Sequence, residues 1–302
     1  MTSLIISILS SSLRSSVVLI LTAVGGTFSN RAGVSDLGLE GIMLTGSFFA
    51  VWGSYLTGNP WIGLLFGGFF GVLISMLHAV MHITYRVNAS ISGMCVNLLA
   101  TAATPLLLTF IYGMNGKSVQ VTGFSKINSE LLGRIPFIGP ILNAQSILLY
   151  LSIILVVAGW VFMYRTTLGL RMRMVGENPQ AASTVGLNVT AYKYFGVAMS
   201  GLFGGLGGAY LSLSQMNMFV ENMTDGRGYI AVVISAFGRY NPLGATAGSL
   251  FFGFFDSLQT VFQSVLPSHL VRMAPYLFTL IVLVFGMKHS AAPAGIGKHV
   301  EN

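Results

Sequence analysis

Apolar residues come along this chain in blocks of about twenty, each closed by Gly, Pro, Asn or a basic residue, and a bilayer core takes roughly 20 apolar helical residues to cross. Nine such blocks stand out: 4–26, 38–57, 61–83, 89–113, 145–164, 192–214, 221–240, 242–262 and 270–287. The second, seventh and eighth are rich in Gly or bounded by polar residues, so broken or re-entrant helices are expected there. The pattern predicts an all-α polytopic membrane protein of about 8–10 transmembrane helices, some of them discontinuous.

One long polar stretch interrupts the second half, residues 165–191. Its core, Thr166 to Tyr192, reads TTLGLRMRMVGENPQAASTVGLNVTAY. The order of residues predicts a short helix with defined ends. Asn178 serves as N-cap, Pro179 takes the first helical position, Gln180 to Val185 follow, and Gly186 stops it. About two turns of helix do not hold alone, so this one is expected to dock on another body. Arg171, Arg173 and Glu177, which flank it, are candidates for further contacts; ordinary anchoring at the membrane surface is the other role open to the two arginines.

Composition supports the membrane reading. The 302 residues are 54% hydrophobic and 8% charged, whereas soluble domains carry about 25% charged residues. So few charges cannot clothe a surface in water. The net charge of +7 would suggest nucleic acid in a soluble protein. Here the basic residues lie mostly in short breaks, where they set orientation, and lipid rather than nucleic acid is the expected partner. With 165–191 in the cytoplasm, Arg31, Arg86, Arg239, Lys288 and Lys298 fall on the same side. Arg14, Lys117, Lys126, Arg134, Arg227 and Arg272 fall on the other. The chain then reads as one transmembrane domain with a first half, 1–113, an external loop, 114–144, a connecting span, 145–164, the cytoplasmic loop, 165–191, and a second half, 192–302. Block 4–26 has no basic residue before it and Arg14 within it, so it reads as a first span and not as a signal peptide. The single cysteine, Cys95, excludes an internal disulfide and reads as a small buried residue.

Gly63, Gly67 and Gly71 recur every four residues, as do Gly201 with Gly205 and Gly204 with Gly208. Small residues at this spacing let helix backbones approach closely in a membrane. The halves are expected to run in opposite orientations, the arithmetic of an inverted repeat. Asp36-Leu37-Gly38 is echoed by Asp225-Gly226-Arg227-Gly228, and Asn59-Pro60 by Asn241-Pro242.

Polar groups within apolar blocks are costly unless they face protein or a water-filled path. Asp36 and Glu40 share a face if their segment is helical. Asp36 either caps a half-helix or lines the path; Glu40 either gains from the helix dipole or lines the gate. Asp225 is placed to cap the seventh block in the same way. Asp256 bonds a neighbouring helix or faces the path. Asn88 begins a polar string of which Asn97 is the deepest member, bonded across helices or to a polar solute. Gln215 and Asn217 close the outer end of the sixth block. The path candidates are therefore Asp36, Glu40, Asn88, Asn97, Gln215, Asn217 and Asp256. His78 and His82 lack a third ligand at metal spacing and are expected to snorkel to the interface. No GxxxxGK[ST], GxSxG or HExxH motif is present, so the chain is expected to hold no catalytic residue, metal or cofactor.

The runs SNRAGVSDLGLEGIMLTGSF and GLRMRMVGENPQAASTVGLNV, with GGLGGAYLSLSQ and GYIAVVISAFGRYNPLGA, resemble the permease subunits of bacterial ABC importers of the branched-chain amino acid and simple-sugar class. The resemblance covers most of residues 20–260 and lies nearest the nucleoside and sugar branch served by basic membrane lipoprotein-like binding proteins. It implies a type II-like ABC importer fold in the bacterial cytoplasmic (inner) membrane. It also implies a second, non-identical permease subunit, ABC ATPase subunits that hold the ATP and Mg, and an external substrate-binding lipoprotein or periplasmic protein. Gln180-Ala181-Ala182 followed by Gly186 is similar to the EAA–xxx–G loop that contacts the ATPase, with Gln180 in place of Glu. The coupling residues implied are Arg171, Arg173, Glu177, Asn178, Pro179, Gln180, Ala181, Ala182 and Gly186. Asp36 stands where the branch often has Asn. A path with few charges, several neutral polar groups and many aromatics suits a nucleoside; a sugar, flavin or amino acid is the alternative within the same machine. A stand-alone carrier coupled to ions through Asp36, Glu40 or Asp256 is the alternative outside it.

Overall fold

In the computed structural model the described residues are 2–127, 138–143, 145–262 and 292–298. The ninth apolar block, 270–287, and the middle of the 114–144 loop lie outside them. The helices, in chain order, begin with α1 (Thr2–Arg31), α2 (Leu39–Thr57), α3 (Pro60–Ala79) and α4 (Ala89–Tyr112). After α5 (Ile138–Leu142) come α6 (Ile147–Arg165), α7 (Thr167–Glu177) and α8 (Pro179–Thr184). The second half holds α9 (Val189–Tyr210), α10 (Arg227–Phe237) and α11 (Pro242–Phe262). A two-residue antiparallel ladder, β1 (Lys126–Ile127) with β2 (Gln145–Ser146), pairs Lys126 with Ser146 and Ile127 with Gln145.

Among the described residues, five helical stretches are long and apolar enough to cross a membrane: Ile5–Arg31, Pro60–Thr84, Ala89–Tyr112, Ile147–Arg165 and Val189–Met216. They match the first, third, fourth, fifth and sixth blocks to within a few residues. The second and eighth blocks form the helices α2 and α11. The seventh does not form a span. Only Arg227–Phe237 is helical there, and the residues before it turn through Asn222 and Asp225, both at positive φ. The polar loop 165–191 also carries more helix than expected. Thr166 accepts from the Gly169 N–H and starts α7, which buries Met172 and Val175.

α1 and α9 form the centre. Their antiparallel contact is set by small residues: Gly196 faces Ala32 and Phe28, and Gly207 faces Thr22 and Val18. Phe28 and Phe203 stack between them at 5.5 Å. On the other side of α9, α2 and α3 approach almost backbone to backbone. A Cβ on Gly205 would strike the Gly67 carbonyl, and one on Gly71 would strike that of Gly201. Without a solvent-driven hydrophobic effect in lipid, such close packing supplies the attraction. α2 is covered by protein along nearly its whole length, which explains why it tolerates Glu40, Thr45 and Ser47.

α3 and α9 each end in π-helix, over Val80–Thr84 and Leu211–Met216. Wider turns leave carbonyls for other donors, and Leu213 O accepts from Phe124 N at 2.9 Å. Residues 116–124 are thereby laid along the end of α9. His78 and His82 do not snorkel: both are buried, with His78 against Ser92 Oγ at 2.8 Å and His82 against Val87 O at 2.8 Å. Cys95 is exposed on α4 rather than buried.

Candidate translocation and coupling site

The short helix α8 has the ends its residues dictate. Asn178 Oδ1 accepts from the Ala181 N–H at 3.0 Å, and Pro179 needs no partner at the first position. The helix closes at Val185, and Gly186 follows at φ +80°, where its N–H donates to Ser183 O at 2.9 Å. Ala182 is fully buried in an apolar cluster with Val175 and Val189. Gln180, Ala181, Ser183, Thr184 and Val185 are exposed. One face therefore holds the helix to the bundle and the other is bare.

Two of the three flanking residues have partners within the chain. Arg173 lies over the Tyr164 ring at 4.6 Å. Glu177 pairs with Arg31 at 3.5 Å and accepts from the Ala294 N–H at 3.3 Å. Arg171 is exposed. The tail segment 292–298 crosses this junction: Gly295 N–H donates to Gly176 O, Gly297 N–H to Gly33 O, and Lys193 Nζ to Lys298 O.

At the opposite end of α10 the N-terminal amides meet a carboxylate from the other half. Glu40 accepts from Thr224 Oγ1 at 2.6 Å, from the Gly226 N–H at 2.9 Å and from the Gly228 N–H at 2.6 Å. A helix N-terminus presents unpaired donors and partial positive charge, both of which a carboxylate satisfies. Glu40, and not Asp225, is thus the cap of this helix. Asp225 sits at φ +46°, exposed, among the residues that line a cavity.

That cavity, about 480 Å³, opens beside the junction of α2, α4 and α10. Its polar wall is Glu40, Thr101, Asn222, Thr224, Asp225 and Tyr229; its apolar wall is Leu44, Ile230 and Val233. The volume lies within the range of about 300–1,000 Å³ typical of small-molecule sites.

Of the seven path candidates, Glu40 alone lines this cavity. Asp36 is fully buried, accepting from the Gly38 N–H at 3.0 Å and from Ser200 Oγ at 2.6 Å; it ties the α1–α2 link to α9. Asn88 is the exposed cap of α4, accepting from the Ser90 N–H. Gln215 donates to Arg14 O, and Asn217 closes α9 at φ +53°. Asp256 pairs across helices with Arg227 at 3.8 Å. Asn97 braces the start of α2: its Oδ1 accepts from Gly41 N at 2.8 Å and its Nδ2 donates to Leu37 O at 2.9 Å and to Tyr229 Oη at 3.1 Å. Thr101, Thr224 and Tyr229 were not singled out by sequence, because no spacing marks a residue of α4 brought against the 221–226 turn and α10, more than a hundred positions away.

Asn97→Ala leaves the Gly41 N–H and the Leu37 carbonyl without partners, at a cost of about 1–3 kcal/mol each. The expected result is a lower melting temperature of the purified protein in detergent, with Asn97→Asp intermediate because one acceptor survives. A normal melting temperature in Asn97→Ala with weakened solute binding would instead assign Asn97 to the path.

The sequence profile of the family described as "Branched-chain amino acid transport system / permease component" matches residues 8–286. The chain is 39% identical over 292 residues to the nucleoside ABC transporter permease protein NupC of Lactococcus lactis, covering 92% of each chain. It is 37% identical over 295 residues to the guanosine ABC transporter permease protein NupQ of Bacillus subtilis, covering 92% of this chain and 91% of that one. A second Bacillus subtilis protein, the guanosine ABC transporter permease protein NupP, is 24% identical over 273 residues, covering 87% and 77%. No solved structure matches the chain. With a multi-pass helical bundle, a cavity at the meeting of its helices and a family match across nearly its whole length, the chain belongs to the permease components of the branched-chain amino acid transport system family.

Proposed function

We propose that this permease component imports nucleosides across the bacterial cytoplasmic membrane, driven by ATP hydrolysis in a separate subunit. The observation that carries the reading is the identity of 39% and 37% to permeases named for nucleosides and guanosine. The cavity agrees with it. Hydroxyl, amide and carboxylate groups on one wall suit the hydroxyls of a ribose, and the apolar wall of Leu44, Ile230 and Val233 suits the flat face of a base.

As a translocation component the chain is not an enzyme. ATP and Mg belong to the ATPase, which docks on the bare face of α8 with Arg171 beside it. A second, non-identical permease completes the path. Two Bacillus subtilis permeases, at 37% and 24% identity, support a pair of unlike subunits of which this chain resembles the first. An external lipoprotein delivers the solute. Lever movement at α8 exposes the cavity alternately to the two sides. The carboxylates that an ion-coupled carrier would need are each bonded within the protein, Asp36 to Ser200, Glu40 to α10 and Asp256 to Arg227.

The test is uptake by proteoliposomes holding the whole transporter, with guanosine, glucose, leucine and riboflavin as solutes. ATP-dependent accumulation of guanosine in preference to the others is expected. Accumulation of glucose alone would move the reading to sugars. Guanosine uptake that follows a proton or sodium gradient without ATP would reject the importer altogether.

A further inference from the structure

α10 walls the cavity, and side chains from the first half of the chain hold it at both ends. Glu40 takes its N-terminal amides. At the far end stands Arg31, the last residue of α1. Its Nε donates to Tyr240 O at 2.8 Å and its Nη2 to Arg239 O at 2.9 Å. These carbonyls belong to the turn that closes α10. Arg239 and Tyr240 are both left-handed there, at φ +56° and +53°, and their own N–H groups return to Ala236 O and Ser235 O. The carbonyls are thereby aimed outward at a cation, which the negative end of a helix favours.

The third guanidinium nitrogen, Nη1, meets Glu177 Oε1 at 3.5 Å. Glu177 is the residue before Asn178, the cap of α8. A planar fork of donors is suited to three acceptors in three directions, where a lysine ammonium is not. The backbone is equally tight at this point. A Cβ on Gly176 would strike the Arg31 carbonyl, and one on Gly295 would lie 2.7 Å from Pro179 Cδ. The end of α7, which leads into α8, and the end of α1 are therefore packed backbone to backbone.

We propose that Arg31 is the positioning residue through which movement of α8 reaches α10. The proposal rests on the importer reading. When the lever moves, Glu177 draws Arg31, and Arg31 draws the 239–240 turn. α10 is 11 residues long and pinned at its Glu40 end, so it tilts, carrying Val233 across the cavity wall. The link runs through one charge pair at 3.5 Å and two carbonyl bonds; labelling at Val233 in two nucleotide states tests for the two-state movement that a transmission claim requires.

The test uses the complete transporter, with partner permease, ATPase and binding protein, in proteoliposomes. A single cysteine is placed at Val233 in a Cys95→Ser background, and its maleimide labelling rate is read with and without a non-hydrolysable ATP analogue. Expected is a nucleotide-dependent change in the parent that Arg31→Gln loses, while the ATPase still co-purifies in full. Guanosine imported per ATP hydrolysed should fall about tenfold or more, as loss of charge-assisted bonds implies. Arg31→Lys should not restore it. Glu177→Gln keeps the two carbonyl bonds and an uncharged Oε1 acceptor for Arg31 while losing the charge, so it should show a smaller loss, and it decides the matter if Arg31→Gln does not assemble.

An Arg31→Gln or Glu177→Gln complex with the full nucleotide response and parental transport per ATP overturns the proposal. So does a parent whose Val233 site ignores nucleotide. A parent that responds to nucleotide yet imports no guanosine rejects the nucleoside reading and leaves the role of Arg31 supported.

Discussion

Ala181→Arg is expected to abolish solute uptake and to strip the ATPase from the complex, with the permease remaining in the membrane at its normal level. The reason is the two-sidedness of α8. Ala182 is fully buried against Val175 and Val189, while Ala181 faces outward among Gln180, Ser183 and Thr184, with Val185 62% exposed beside them. Small side chains with one apolar projection make a smooth surface that fits a groove. An arginine there adds bulk and charge to the middle of the contact, and such changes cost about 2–4 kcal/mol, or roughly 30–1,000-fold in affinity. Co-purification of the ATPase and ATP-driven vesicle uptake measure it. Ala182→Arg is the control, since it strikes the buried face and should lower the amount of folded permease. Gly186→Pro should also fail, because proline cannot adopt the φ of +80° and removes the N–H given to Ser183. Normal uptake in Ala181→Arg would mean that the ATPase docks elsewhere.

Glu40→Ala is expected to have an effect of similar size by a different route. One carboxylate serves the Thr224 hydroxyl and the Gly226 and Gly228 amides, and it also lines the cavity. Removing it leaves donors unpaired at the start of α10. At about 1–3 kcal/mol for each amide, the two together cost roughly 2–6 kcal/mol, enough to fray a helix of 11 residues. Uptake should fall below about a tenth of the parental rate, and amide hydrogen exchange at residues 226–230 should accelerate. Glu40→Gln should be nearly as damaging. Its amide nitrogen would face either the Gly228 N–H or the pair formed by Thr224 and Gly226, placing donor against donor. Slow exchange at 226–230 in Glu40→Ala would show that α10 is held by packing and not by its cap.

Local chemistry explains which features were legible before the structure. The ends of α8 are set by Asn178 and Pro179 at its start and Gly186 just past its end, and the bonds of Asn178 and Gly186 each reach three residues, so the helix is readable from its own sequence. The same holds for Asn59 and Asn241, each accepting from the N–H two residues on, at the starts of α3 and α11. The glycine spacing announced close approach, and α3 does meet α9 at Gly67, Gly71, Gly201 and Gly205. Asp225 illustrates the opposite case. It sits where a cap belongs, yet its left-handed backbone leaves the amides of α10 to Glu40. His78 and His82 differ too: in apolar surroundings near a helix end they resemble snorkelling groups, yet Ser92 from α4 bonds the first and the Val87 carbonyl, in the turn five residues on, bonds the second.

From its own order of residues this chain determined a multi-pass helical bundle, the extents of its long spans, and a short polar-loop helix with two marked ends. Each follows from hydropathy or capping within one stretch of about twenty residues. Only the tertiary structure decided which polar groups meet. Glu40 reaches amides 186 and 188 positions away, and Arg31 reaches carbonyls 208 and 209 positions away. A buried donor must find an acceptor, but nothing in the chain's periodicity says where that acceptor lies; the close approach of helices at their glycines settles it.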